Sequence, residues 1–242
     1  MRGVILAAGQ GQRLRPDTDE LPKTLLPLTE NETILDTIVA GLAAVDVTDI
    51  AVTVGHAADR IREHAPSLAA RYGVDVTLVD NDRPDWNNAY SLWTAREHYA
   101  EGAILVNGDT VHPYSVEERL LDAAEESGQL LLALDDHKTL TEEAMKVRIG
   151  PGGVELIHKR QPIATAAGEY IGVSLIPSGL ADDLTKALET TVERDRTLYY
   201  EDAYQLLAEA GQIGTVSTGP IAWTEVDDHA DWAAAEAIVK GR

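Results

Sequence analysis

Apolar runs of strand length recur along the chain at residues 4–7, 50–54, 74–79, 103–106 and 130–134. Between them, apolar positions repeat with helical spacing over about 33–44, 57–72, 89–99 and 116–127. Strands alternating with helices of this length predict a largely parallel sheet covered on both faces. Ligands of such sheets sit beyond the carboxyl ends of the strands. The second half has a different rhythm. Segments 145–149 and 154–158 flank Gly150-Pro151-Gly152-Gly153, which reads as a hairpin turn. A strand at 170–176, helices at about 180–192 and 200–210, short strands at 213–217 and 222–226, and a closing helix at about 229–240 follow. No Pro-, Gly- or Ser-rich linker, repeat or low-complexity stretch interrupts the pattern. It predicts one α/β domain over residues 1–242, with a βαβ half at about 1–135 and a mixed half at about 136–242.

Composition narrows the chemistry. There are no cysteines, which excludes disulfides and thiolate metal sites. No run approaches the roughly 18 apolar residues of a membrane span. The first apolar run enters a glycine loop and not a cleavage site, so a signal peptide is not expected and a cytoplasmic location is. Lysine and arginine total 20 against 41 acidic residues, a net charge of −21. That balance disfavours nucleic acid and anionic membranes as partners, since both need cationic neutralisation. It fits a solvated acidic shell suited to a high-salt cytoplasm, as do the sparse lysines and the absence of phenylalanine. In such a chain, cations placed beside loops carry unusual weight.

The first strand breaks into Ala7-Ala8-Gly9-Gln10-Gly11, small residues that let a backbone press against a ligand. The third glycine of the dinucleotide fingerprint is missing, and no Gly-Lys-Ser/Thr closes a Walker loop. Alone, the two glycines also fit a tight strand-to-helix turn. Arg13 follows two residues after Gly11, and Lys23 follows Pro22, whose ring stiffens the approach. A guanidinium on a leaving pyrophosphate and an ammonium near an α-phosphate suit phosphoryl or nucleotidyl transfer. Asn107-Gly108-Asp109 ends a buried strand, where a carboxylate is placed either to hold Mg²⁺ or to shape a turn. Glu225-Val226-Asp227-Asp228 ends the last strand; it offers further carboxylates or a helix cap. Asn87-Asn88-Ala89-Tyr90-Ser91 opens a helix with side chains that cap it or read a base edge.

The run Leu6-Ala7-Ala8-Gly9-x-Gly11-x-Arg13-Leu14-x-Pro16 followed by Pro22-Lys23 resembles the signature of the nucleotidyltransferases that join a nucleoside monophosphate to a phosphorylated alcohol or sugar. The resemblance implies a Rossmann-like three-layer α/β/α fold with a mostly parallel mixed sheet, a Mg²⁺ cofactor and release of pyrophosphate. It implies Asp109 and Asp227 as metal ligands, and Arg13, Lys23 and Asp109 as catalytic residues. Leu6, Ala7, Ala8, Gly9 and Gly11 would line the nucleotide with them. Sugar-specific members usually carry glutamine and a glycine-rich turn where this chain has Asn87-Asn88-x-Tyr90-Ser91-Leu92. That form is similar to the branch of phosphocholine and inositol-1-phosphate cytidylyltransferases. It implies CTP, with Asn88 and Ser91 as base readers.

The acceptor is expected to be a small phosphorylated molecule. Lys146 and Lys159, on the hairpin strands, are candidates for its phosphate, and Glu169, Gly172 and Glu201 for its body. Phosphocholine would require an aromatic cage; Tyr199 and Tyr200 contribute, but the stretch around Met145 offers none. Glu169 and Glu201 favour a polyol or sugar phosphate. Two other classes remain: a glycosyltransferase, which would not need Arg13 and Lys23 in this arrangement, and a silent nucleotide-binding regulator, which would be expected to lack Lys23 or Asp109.

Overall fold

The computed structural model describes residues 1–241. The first half runs β1 (Arg2–Leu6), α1 (Ile34–Ala44), β2 (Asp49–Val54), α2 (Ala58–Tyr72), β3 (Asp75–Asp80), α3 (Asn88–Thr94), α4 (Arg96–Tyr99), β4 (Ala103–Asn107), β5 (Thr110–Val111), α5 (Ser115–Ala124) and β6 (Leu130–Asp135). The second half runs β7 (Lys146–Gly150), β8 (Gly153–Ile157), β9 (Gly168–Ile176), α6 (Ala181–Arg194), α7 (Tyr200–Glu209), β10 (Ile213–Ser217), β11 (Thr224–Glu225) and α8 (His229–Lys240).

The main sheet has the order β10-β6-β9-β4-β1-β2-β3, with the β7–β8 hairpin paired onto β9. Strands β1 to β4 are mutually parallel and β10 is parallel to β6. Strand β9 enters between β4 and β6 antiparallel to both, so one strand of the second half fills the centre of the sheet. This is a three-layer α/β/α fold with a mixed sheet. The layers follow from alternation along each strand. Ile5, Ile50, Val52, Ile104 and Val106 point into one buried core, beneath α1, α2 and α5. Val4, Ala51 and Leu105 point into the other, beneath α3, α6 and α7.

Two elements depart from expectation. The helix predicted over 89–99 is broken at Ala95 into α3 and α4. The Thr94 hydroxyl donates back to the Ser91 carbonyl at 2.7 Å, and the Ala95 amide bonds the Leu92 carbonyl, which tightens and ends the turn. The strand predicted over 222–226 shortens to β11. It leaves the main sheet and pairs antiparallel with β5, which sequence pattern did not predict. Among the described residues, no helix is long and apolar enough to cross a membrane.

Candidate functional site

The site is assembled at the carboxyl ends of β1 and β4 and on the small β5–β11 ribbon. Beyond β1, Ala7 and Ala8 are buried, and the Ala7 amide donates to the carbonyl and hydroxyl of Thr53 on β2. Gly11 is left-handed (φ +58°) and starts a short 3₁₀ turn that carries Arg13. A side chain at Gly11 would press on Thr18 and on the Lys23 β-carbon. Gly9 faces open space. Pro22 opens a second 3₁₀ turn, whose first residue is Lys23.

Lys23 is the centre of the site. Its ammonium lies 2.6 Å from Asp109 Oδ2 and 3.0 Å from Asp227 Oδ1, and its side chain is only 15 % exposed. Arg13 meets the other oxygen of Asp227 at 3.3 Å and is otherwise open to solvent. Asp109 lies between β4 and β5, and its carbonyl accepts from the Val226 amide, which ties it to the ribbon. Register then sets Glu225 opposite Thr110. Oxygens of Asp109, Glu225 and Asp227 all lie within 4.8 Å of one another.

These charges set each other's protonation. Burial opposes the Lys23 charge, but Asp109, Asp227 and Glu225 outweigh it and hold the ammonium above its ordinary pKa. Burial, then the Asp109 and Asp227 carboxylates, push Glu225 up to about 8. Burial works against the Asp227 carboxylate, yet Lys23, Arg13 and Lys159 bring it below the usual range. Asp109 Oδ1 is buried without a hydrogen-bond partner. An orphaned carboxylate oxygen beside two more carboxylates is a hard-donor set that fits Mg²⁺. Asp228 is not part of it: its side chain caps α8, accepting from the amides of Ala230 and Asp231. Glu225 was not picked out as a candidate ligand, although it stands only two residues before Asp227.

On the base side, the expected readers are already engaged. Ser91 is buried and its hydroxyl accepts from Asn81 Nδ2 at 2.9 Å. It stands on the packed face of α3 beside Leu92, so it supports the loop after β3 and is not presented to a base. Asn88 Oδ1 accepts from the Tyr200 amide at 3.0 Å, joining α3 to the start of α7. Asn87 caps α3.

The acceptor-side residues divide. Lys159 lies near Tyr199, 5.8 Å from its ring centroid, and acts electrostatically on Glu201, Glu225 and Asp227. Glu201 is buried with Oε2 unpartnered, and burial pushes its carboxyl up to about 7. Beside it the Tyr200 hydroxyl lies within hydrogen-bond distance of Asn107 Oδ1 and of the Tyr170 hydroxyl, both at 3.0 Å. Gly172 (φ +78°) packs on Asn107, where an added β-carbon would fall 2.6 Å from Asn107 Nδ2. Glu169 pairs with Lys138 at 2.8 Å. Lys146 corrects the expectation of a phosphate contact. Its side chain is fully buried, and the ammonium donates to the carbonyls of Thr141, Glu142 and Ala144. The loop before β7 wraps around it, so its charge stabilises backbone and not a ligand.

Comparison with known proteins places this arrangement. Over 228 residues the chain is 25 % identical to a bifunctional IPC transferase and DIPP synthase of Aquifex aeolicus, covering 94 % of this chain and 49 % of that one. It is 35 % identical to choline-phosphate cytidylyltransferase of Streptococcus pneumoniae over 106 residues, 43 % of either chain. It spans 20 % of CMP-5'-(3-aminopropyl)phosphonate synthase of Streptomyces rubellomurinus, so it covers less than half of the length of each of these curated relatives. The inositol-1-phosphate CTP transferase of T. maritima superposes with a TM-score of 0.80 at 22 % identity, over 99 % of this chain and 96 % of that one. A glucose-1-phosphate thymidylyltransferase structure from Bacillus anthracis, described as putative, gives 0.85 at 19 % identity, over 100 % and 96 %. The glycine loop, Arg13, Lys23, Asp109 and the Asn88 helix all fall within residues 3–203, which match the model of the MobA-like NTP transferase domain, and the chain belongs to that family.

Proposed function

We propose that this domain transfers a cytidylyl group from CTP to a phosphorylated polyol or sugar, of the inositol-1-phosphate kind, and releases pyrophosphate. The observation that carries this is the Lys23 ammonium held between Asp109 and Asp227, behind the glycine loop and beside Arg13. The loop from Leu6 to Gly11 brings backbone against the nucleotide. Arg13, exposed beside Asp227, reaches the leaving pyrophosphate. Lys23 neutralises charge that grows at the α-phosphate in the transition state. Asp109, Asp227 and Glu225 would hold Mg²⁺, which supplies Lewis-acid neutralisation of the phosphates when bound. No general base is required, because a phosphate monoester dianion is already nucleophilic at neutral pH.

Lys159 is the one acceptor-side lysine that acts on the carboxylate cluster, and it is assigned to the acceptor phosphate. Glu201 and the Asn107–Tyr200–Tyr170 hydrogen bonds suit a hydroxyl-rich body. Similarity to cytidylyltransferases favours CTP; phosphocholine as acceptor, and UTP or dTTP as donor, are the competing assignments.

The test is a pyrophosphate-release screen of the four NTPs and dTTP against myo-inositol 1-phosphate, sugar 1-phosphates and phosphocholine with Mg²⁺. CTP with a polyol phosphate is expected to release pyrophosphate fastest. Preference for UTP or dTTP would overturn the base assignment alone, and no release from any pair would overturn the transferase itself. Asp109→Asn is expected to lower the rate on the order of 10²-fold or more, as for loss of a group that acts in the transition state.

A further inference from the structure

A second charged cluster lies beside the carboxylates, and nucleotidyl transfer as proposed does not use it. Lys138, on the loop after β6, places its ammonium 4.1 Å from the ring centroid of Trp223 and 2.8 Å from Glu169. Asp135 organises the group. One of its oxygens accepts from the Trp223 indole at 2.6 Å, and the other from the backbone amides of His137 and Lys138. Asp135 and Glu169 face each other across the β6–β9 pairing, so both carboxylates are fixed by the sheet. An aromatic face with a carboxylate beside it is what a protein uses to bind an organic ammonium. Here the ammonium is the protein's own.

The niche adjoins the proposed acceptor position. Trp223 stands two residues before Glu225, at the entry to β11, so their α-carbons are at most about 7 Å apart. Glu169, a member of the niche, is also a residue expected to meet the acceptor's body, and it pairs with Lys138 there. A phosphorylated amino alcohol held by its phosphate at Lys159, beside the carboxylate cluster, would bring its ammonium toward this niche.

We infer that Lys138 is a specificity-determining residue: it occupies the Trp223–Glu169 niche as a built-in cation, so that acceptors bearing an ammonium group are turned away and neutral polyol or sugar phosphates are selected. This rests on the acceptor class proposed above. A cationic acceptor meets a site already neutralised and pays like-charge repulsion against Lys138, whereas a neutral hydroxylated one meets neither. Removing the lysine leaves Glu169 and the Trp223 face without their cation.

The experiment compares wild type with Lys138→Ala and Lys138→Arg at low ionic strength, where screening is least. Tetramethylammonium binding, followed by tryptophan fluorescence, is expected to tighten about tenfold in Lys138→Ala and not in Lys138→Arg, the size of a partly desolvated cation–π contact. Adding Trp223→Leu to Lys138→Ala should abolish the gain; Lys138→Gln replaces Lys138→Ala if the alanine variant melts early. In pyrophosphate release, the ratio of kcat/KM for phosphocholine to that for myo-inositol 1-phosphate should rise by a similar factor. Tetramethylammonium binding to Lys138→Ala no tighter than to wild type overturns the inference. Tighter binding with an unchanged acceptor ratio overturns it as well, by placing the niche off the acceptor's path. If no acceptor reacts with any variant, the transferase proposal fails while the tetramethylammonium titration still decides whether Lys138 fills a cation niche.

Discussion

Lys23→Ala separates the electrostatics of the site from the identity of its substrates. In the folded protein the ammonium touches Asp109 and Asp227, and both Lys23 and Asp109 are largely buried. Removing one partner of a buried ion pair typically costs about 3–5 kcal/mol, because the other charge is left behind uncompensated. Asp227 is 39 % exposed, so water recovers part of that loss, and about 3 kcal/mol is expected. For a chain of this length the melting temperature should fall by about 6–12 °C, at about 2–4 °C per kcal/mol. The measurement is a thermal melt at pH 7 in chelator, repeated across a MgCl₂ titration. The Lys23 pKa is raised, so the wild-type ammonium stays charged throughout. Mg²⁺ should restore stability more in the variant than in wild type, since it meets the same carboxylates without a competing cation. Saturation to a hundred times Kd returns about 2.7 kcal/mol, comparable to the loss. A variant melting within about 2 °C of wild type in chelator, the noise level against the shift expected, would refute the reasoning. So would a larger Mg²⁺ effect on wild type.

Two further outcomes follow from single residues. Glu201 titrates at about 7 in the fold against 4.5 when exposed, with burial as the largest cause, so its folded form binds a proton more tightly than its unfolded form. The Glu201 contribution to stability is therefore fullest below pH 4.5 and is lost as pH rises through 7; Glu201→Gln should gain about 3 kcal/mol over wild type at pH 8 and nothing at pH 4, read by urea unfolding at both. Gly172→Ala forces a β-carbon into a left-handed position against Asn107, two residues before Asp109. It should lose about 1–3 kcal/mol in urea unfolding and slow pyrophosphate release beyond what the stability loss explains; wild-type values in both would remove Asn107 from the site's support.

How much was legible depended on whether the determinant was local. Strands β1, β2 and β4 are covered on both faces, so they read as unbroken apolar runs, and their order with the intervening helices follows. Arg13, Lys23, Asp109 and Asp227 were legible by motif, and the fold brings all four together. Glu225 was within reach, two residues before Asp227. Ser91 was misread because a helix-opening serine looks available until its face is known; here that face packs inward and Asn81 claims the hydroxyl. Lys146 reads as a strand-start cation, and only the path of residues 141–144 shows the carbonyls closing around it. Lys138 gave no signal at all, since its partners Glu169 and Trp223 are distant in sequence and meet it only through the β6–β9 pairing and the approach to β11.

The same contrast explains why the carboxylates sit on a ribbon and not on the main sheet. Three carboxyl groups within 4.8 Å repel as they ionise, which is part of what pushes Glu225 up to about 8. The β5–β11 ribbon has two residues in each strand and is held from several sides: Val111 and Val226 are buried in the core, and the Val226 amide bonds the Asp109 carbonyl. The buried contact of His112 with Glu117 at the start of α5 adds a further anchor. Backbone pairing fixes Glu225 and Asp227 relative to Asp109, while Lys23 approaches from a separate turn behind Pro22. The acids are thus set by the ribbon, and the cation that balances them is set by the signature loop. Their coincidence in space requires both the loop and the ribbon to be in register, which is why neither motif alone specifies the site.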